Sequence, residues 1–185
     1  PCLNIAKNKE DVYKYTIKGN SIAVISNGTA VLGLGDIGAE AAIPVMEGKA
    51  AIFKELANID AFPICIYSKD AKTNIEIIKN ISSIFGGINL EDYKAPECFE
   101  IEEELQELGI PVMHDDQHGT AVVVLAGILN ALKVVNKKIE YIKISISGAG
   151  AAAIAVAKLL IKKGAEPGNI IMVDRKGILY EGRED

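Results

Sequence analysis

Residues 114–118 read His-Asp-Asp-Gln-His, two adjacent aspartates between the only two histidines of the chain, and an almost wholly apolar stretch follows at once. A second acidic pair, Glu91-Asp92, closes the short stretch INLED at 88–92. Carboxylates gathered in one place repel each other and resist ionising together. A divalent cation removes that conflict, and an all-oxygen donor set suits Mg²⁺ or Mn²⁺. The same residues also suit helix caps and turns, since aspartate is a favoured cap and Asp116 stands just before a helical stretch. Both readings stand at this point. Imidazole is not the usual Mg²⁺ ligand, so His114 and His118 read as structural. Lys49, between Gly48 and an apolar run, is a third candidate. A partly desolvated lysine can have a lowered pKa and act as a base, although a helix lysine can also simply snorkel to water.

A second constellation lies in SISGAGAAA. Gly148, Ala149, Gly150, Ala151, Ala152 and Ala153 give the G-x-G-x-x-A form between an apparent strand and an apparent helix, the context a dinucleotide fingerprint requires. Small residues let the backbone approach a pyrophosphate, and the helix N-terminus supplies partial positive charge. Asp174 ends the next strand and suits the ribose hydroxyls of NAD, whereas Arg175 and Lys176 directly after it suit the 2′-phosphate of NADP. NAD is the favoured cofactor. VLGLGDIGAE at 31–40 has a similar glycine spacing, but a hairpin before it argues against a βαβ unit. It reads as a glycine-rich turn near substrate.

The elements that must position these groups alternate between strand and helix. Residues 21–35 give a hairpin signal, two β-prone runs around Asn27-Gly28, a pair suited to a type I′ turn. Residues 39–56 turn helical, interrupted by Pro44 and Gly48. Residues 61–67 read as a buried strand. Residues 71–85 place isoleucines at helical spacing and close at Gly86-Gly87. Then come a short strand at 88–92, an acidic amphipathic helix at 97–108, and a strand at 110–116 ending in Asp115-Asp116. A helix at 119–135, apolar nearly all round, is expected to be buried. Strand, glycine turn and helix cover 142–164, and a strand covers 169–174. This alternation predicts an α/β fold with a parallel sheet. Parallel strands around one helix end on the same edge, the edge where open α/β sheets bind ligands. Both acidic pairs are expected there.

The 185 residues suit one generous domain or two small ones. With 49% hydrophobic residues and a mean hydropathy of +0.21 the chain can bury a sizeable core, and its composition is not that of a disordered segment. A net charge of −5 offers a nucleic-acid backbone no overall attraction. Cys2, Cys65 and Cys98 are scattered and odd in number, which suggests neither a disulfide framework nor a zinc knot. No charged and apolar leader opens the chain, and the longest apolar run, 121–129, is too short to cross a bilayer. A soluble, cytoplasmic protein is the expectation.

Taken in order, NGTAVLGLGDIG, PVMEGKAAIFKE, DAFPICI, FGGINLEDYKAP, PVMHDDQHGTAVVVLAGILNAL, SGAGAAAIAVAKLL and VDRKGILYEGRED resemble malic enzymes of the shorter prokaryotic type along essentially the whole chain. The resemblance implies oxidative decarboxylation of L-malate to pyruvate and CO₂ with reduction of NAD⁺ or NADP⁺. It implies an N-terminal substrate and metal domain over 1–114 and the first part of a Rossmann-like dinucleotide domain over 115–185. Position by position, it makes Lys49 the base toward the C2 hydroxyl and Asp115 a carboxylate supporting that lysine. Glu91, Asp92 and Asp116 become ligands of Mg²⁺ or Mn²⁺, and Gly148, Gly150 and Ala153 the pyrophosphate loop. A homodimer or larger homo-oligomer is the implied assembly.

The family's acid, a tyrosine in a YTPG-type motif, matches none of the six tyrosines here, and an asparagine expected beside the nicotinamide has no counterpart either. The resemblance therefore reads the chain as an inactive fragment of a longer enzyme. Asn27 stands where the family often has aspartate, and IYSKD at 66–70 lacks a carboxylate often found there. Two other readings fit parts of the pattern. One is a metal-independent amino-acid dehydrogenase of the glutamate type. The other is a non-catalytic nucleotide-binding or dimerisation module.

Overall fold

The computed structural model describes residues 1–183; the last two residues of the expected 115–185 domain lie outside them. The chain divides into two compact units, Pro1–His114 and Asp115–Asp185.

The N-terminal unit opens with two short helices, α1 (Cys2–Lys7) and α2 (Val12–Tyr15). They lead into β1 (Ser21–Ser26), α3 (Ala39–Ala57), β2 (Asp60–Cys65), α4 (Ala71–Ile81), β3 (Gly87–Leu90), α5 (Glu97–Leu105) and β4 (Val112–His114). The four strands form one parallel sheet in the order β2-β1-β3-β4. β1 lies between two neighbours, and Ala23, Val24 and Ile25 are fully buried. The β-branched residues of SIAVIS suit such a doubly covered strand.

Three expectations need correction here. Residues 21–35 form no hairpin: β1 pairs in parallel with β2 and β3, and the segment after Asn27-Gly28 is a loop with a single antiparallel bridge, Val31 to Gly35. Gly28 does adopt positive φ, +67°, so the local signal was right. Parallel pairing with distant strands overrode the hairpin that Asn-Gly favours. The helix at 39–56 is not interrupted; α3 runs through Pro44 and Gly48 as one 19-residue helix. Residues 61–67 do not form a buried strand, because β2 is an edge strand and Phe62 is 42% exposed. Pro63 fits an edge, where a missing N–H costs no ladder bond.

α4 begins at an N-cap in which the Asp70 carboxylate accepts from the Thr73 N–H (2.8 Å) and hydroxyl (2.7 Å). It buries Ile75 and Ile78 from the isoleucine series. α5 buries Cys98, Ile101 and Leu105 and leaves Glu100, Glu103 and Glu104 exposed, the amphipathic pattern expected of it.

The C-terminal unit contains α6 (Asp115–Val134), β5 (Ile144–Ser147), α7 (Ala151–Lys162), β6 (Ile170–Asp174) and β7 (Gly177–Ile178). β5 and β6 are parallel, and β7 returns antiparallel on β6. Ala121 and Leu132 of α6 pack with Ala155, Val156 and Leu160 of α7 to make the core. Two more expectations change. The strand ends at His114, so Asp115 and Asp116 do not close a strand but form the first turn of α6, where acidic side chains complement the helix dipole. Nor is α6 buried all round: Val122 and Val123 are 60% and 66% exposed. Four residues longer at its start than expected, α6 is the one helix among the described residues with the length and apolarity of a membrane span. Its packing against α7 nevertheless gives its inner face a protein partner.

Candidate active site

In the N-terminal unit the groups that could do chemistry gather just past the C-terminal ends of β1 and β3. Ala39, Ala42 and Met46 form the buried face of α3, and Lys49 extends that face by helical spacing. Its ammonium lies 3.1 Å from Glu91 Oε1. The Glu91 side chain is 8% exposed and that of Lys49 23%, so the pair is shielded from water far more than a surface ion pair. The other Glu91 oxygen, Oε2, accepts from the Asn89 side-chain amide at 2.7 Å. Asn89 is buried within β3, two residues before Glu91 and so on the same side of the strand.

Asp92 is buried beside Glu91 and takes a left-handed conformation, φ +57°, unusual for a residue with a Cβ but more accessible to aspartate than to most. This twist turns the chain out of β3 so that the Asp92 carbonyl accepts from the Ala30 N–H at 2.9 Å. The Thr29 hydroxyl donates to Asn27 Oδ1 (2.6 Å) and accepts from the Lys94 N–H (3.1 Å). The loop after β1 is thereby tied to the segment after β3. Ile37 and Gly38 N–H groups close it onto the Gly28 carbonyl, and a Cβ at Gly28 would overlap the Gly38 backbone. The expected glycine-rich turn is present, with Gly33, Gly35 and Gly38 all at positive φ. It holds Leu32 and Leu34 out from the surface.

β3 and β4 are paired with Leu90 opposite His114. Both acidic pairs therefore follow directly from adjacent, registered strand ends. His114 is fully buried, and its backbone N–H donates to Glu102 Oε1 at 3.0 Å. Its place is within the strand layer, in keeping with a structural histidine, while His118 is exposed. In the first turn of α6, a methyl group on Gly119 would overlap the Asp115 carboxylate. Glycine at 119 leaves that carboxylate room to lie against the helix.

In the C-terminal unit, β5 ends at Ser147 and α7 starts at Ala151 with Gly150 as its N-cap. Gly148 has φ +116°, where any side chain would be strained. Its N–H donates to the Val173 carbonyl (2.7 Å). Gly148, Gly150, Ala152 and Ala153 line a mostly apolar cleft of about 530 Å³ that continues along Thr120 and Val124 of α6. Asp174 stands at the end of β6, accepting from the Lys176 N–H (2.7 Å) and the Arg183 guanidinium (2.5 Å). Arg175 is exposed.

Residues 2–76 match the family model of the malic enzyme N-terminal domain, and residues 117–185 that of the malic enzyme NAD binding domain. The NAD-dependent malic enzyme of Geobacillus stearothermophilus is 60% identical over 180 residues, covering 97% of this chain and 37% of that protein. The chain belongs to the malic enzyme family. The NADP-dependent malic enzyme of Escherichia coli K12 is 56% identical across the full chain, which spans 24% of its length. Among solved structures, the NAD-dependent malic enzyme of Thermotoga maritima superposes with a TM-score of 0.94 at 52% identity, covering 98% of this chain and 48% of that one. The malic enzyme of Entamoeba histolytica gives 0.95 at 45% identity, covering all of this chain and 39% of that one. The chain thus spans less than half the length of these malic enzymes, and its α/β fold is theirs.

Lys49 and Glu91 are in direct contact, Asp92 adjoins Glu91, and the glycine turn heads α7 as a dinucleotide loop does. Sequence reading missed two participants. Asn89 had a weak signal, a lone amide in an otherwise apolar strand two residues before a site carboxylate. Arg183 had none, since its partner Asp174 is fixed only by the turn through β7.

Proposed function

We propose that the malic enzyme to which this chain belongs oxidatively decarboxylates L-malate to pyruvate and CO₂ with a divalent cation, reducing NAD⁺ in preference to NADP⁺. The observation that carries this reading is the buried contact between Lys49 and Glu91 at the C-terminal edge of the sheet, the only place in the N-terminal unit where a shielded lysine meets a buried carboxylate among the described residues.

The donor set fits Mg²⁺ or Mn²⁺. Glu91 and Asp92 are adjacent, buried and purely oxygen-donating, so they suit a hard cation better than zinc or copper. By resemblance to malic enzymes, Asp116 completes the ligand set. These three residues would hold the metal. When bound, the cation supplies Lewis acidity at the C2 oxygen and neighbouring carboxylate of malate as CO₂ departs. Lys49 Nζ, in its neutral form, takes the proton from the C2 hydroxyl so that hydride can leave C2. By the same resemblance, Asp115 would be the carboxylate that supports the lysine. Gly148 and Gly150 let the nucleotide pyrophosphate approach the N-terminus of α7, with Ala149 and Ala151–Ala153 keeping the turn and first helical turn free of bulk. Asp174 would accept from the ribose hydroxyls, with Arg175 next to it in the chain.

A cytoplasmic homodimer is the proposed setting. Ile52 and Leu56 of α3, 55% and 81% exposed, give the N-terminal unit an apolar surface of the kind buried in homodimers. The deciding experiment uses the full-length enzyme. Malate-dependent reduction of NAD⁺ that requires Mn²⁺ or Mg²⁺ and yields pyruvate and CO₂ in equal amounts is expected. Absence of malate-dependent reduction with either nucleotide would rule the reading out.

A further inference from the structure

Glu91 is gripped at both ends. Lys49 takes Oε1 at 3.1 Å, and the Asn89 amide takes Oε2 at 2.7 Å. The two grips differ in kind. Lys49 reaches in from α3 on a flexible four-carbon stem and is partly exposed. Asn89 sits within β3, between Val24 of β1 and Met113 of β4 in register, and only 4% of its surface meets solvent. A short amide on a central strand has few rotamers and little freedom, so the direction of its N–H is set by the sheet itself. Glutamate has three side-chain torsions and would otherwise sample several orientations at the strand end. Each would present a different oxygen to whatever lies beyond.

We infer that Asn89 is a positioning residue that fixes the Glu91 carboxylate for cation binding. The inference rests on the metal reading proposed above. Holding Oε2 from the strand side defines the plane of the carboxylate and leaves Oε1 toward Lys49. The cation then meets a ligand already ordered. Outer groups that hydrogen-bond to ligating carboxylates typically contribute about 10- to 100-fold in metal affinity. Asn89 touches neither substrate nor cofactor in this assignment and acts only through Glu91.

Mn²⁺ is titrated calorimetrically into the full-length enzyme and its Asn89→Leu and Asn89→Gln variants, with NAD⁺ titrations and thermal unfolding alongside. Leucine keeps the volume and removes the donor, while glutamine keeps the donor on a longer arm. The Asn89→Leu variant is expected to bind Mn²⁺ about 10- to 100-fold more weakly with unchanged NAD⁺ affinity and an altered Mn²⁺ electron paramagnetic resonance line shape. Asn89→Gln is expected to restore most of the affinity. A purely structural role would shift unfolding without this split between metal and nucleotide. Wild-type Mn²⁺ affinity in folded Asn89→Leu, or equal weakening in both variants, overturns the inference. If leucine prevents folding, Asn89→Ala gives the same contrast with less bulk. Absence of saturable Mn²⁺ binding in the unaltered enzyme overturns the metal reading itself, a result distinct from the first two.

Discussion

The two units solve the same problem with different materials. Each uses the C-terminal ends of parallel strands, yet the N-terminal unit builds its edge from side chains and the C-terminal unit builds its own from backbone. At the first edge, Asn89, Glu91 and Lys49 are linked in a chain of two contacts that spans β3 and α3. At the second, the features that matter are absences: no Cβ at Gly148, where φ is +116°, and small residues through the first turn of α7. A side-chain edge supplies charge and proton transfer but depends on every partner. A backbone edge supplies N–H groups and room, and tolerates changes that leave its space and dihedrals alone.

The contrast breaks most sharply at Lys49. In the full-length enzyme, Lys49→Ala is expected to lower kcat by about 10²- to 10⁴-fold, the usual range for a positioned general base, with nucleotide affinity unchanged. Steady-state turnover and NAD⁺ titration together check it, and near-normal turnover would remove Lys49 from the chemistry. Asp92→Ala should come next. Losing a ligand of the proposed cation is expected to weaken Mn²⁺ by more than the roughly 10- to 100-fold that loss of a group behind a ligand typically causes, again with NAD⁺ binding intact. Gly148→Ala tests the other edge. Forcing a Cβ into that conformation costs of order 1–3 kcal/mol, so NAD⁺ affinity should fall while Mn²⁺ affinity holds. If either substitution impaired both ligands equally, the two edges would not be the separate devices described here.

Tyr93 sharpens the comparison by showing how far the side-chain edge extends into the core. Its hydroxyl donates to Asn74 Oδ1 at 2.9 Å, and Asn74 in turn donates to the Ser68 and Asp70 carbonyls. Burial pushes the Tyr93 phenol well above its ordinary range. Tyr93→Phe leaves a buried amide oxygen without its donor and should cost about 1–3 kcal/mol, read as a lower denaturant midpoint with no change in NAD⁺ affinity.

How much of this could be read in the sequence follows the same division. The backbone edge was legible because its requirements are local: strand, G-x-G-x-x-A and helix occupy consecutive residues, and positive φ selects glycine. The acidic pairs were legible too, but their secondary structure was less so. Asp115 and Asp116 suit a strand end and a helix start equally well by composition, and the favourable dipole placed them in the helix. Asn27-Gly28 misled for a related reason. The pair reports a local change of chain direction, while the partners of β1 are decided by strands about 40 and 65 residues away. Asn89 and Arg183 lay beyond local reading, since what each does depends on a partner's orientation rather than on spacing.

The smallest effect concerns the helix cap that begins α4. Asp70 accepts from both donors of Thr73, and these bonds hold its carboxyl below the ordinary value, with the backbone N–H contributing most and Lys72 adding a little. A carboxyl whose pKa is lowered by folding stabilises the folded state at any pH above its unfolded value. That contribution fades as acidification carries the pH down through the lowered, folded value. Asp70→Asn separates charge from capping, because asparagine is an equally good cap but carries no charge to interact with the helix dipole. The wild-type chain should therefore unfold at a slightly higher temperature than Asp70→Asn near neutrality, and the gap should close in acid. A gap that persisted unchanged in acid would mean that the hydrogen-bond geometry of Asp70, rather than its charge, holds the start of α4.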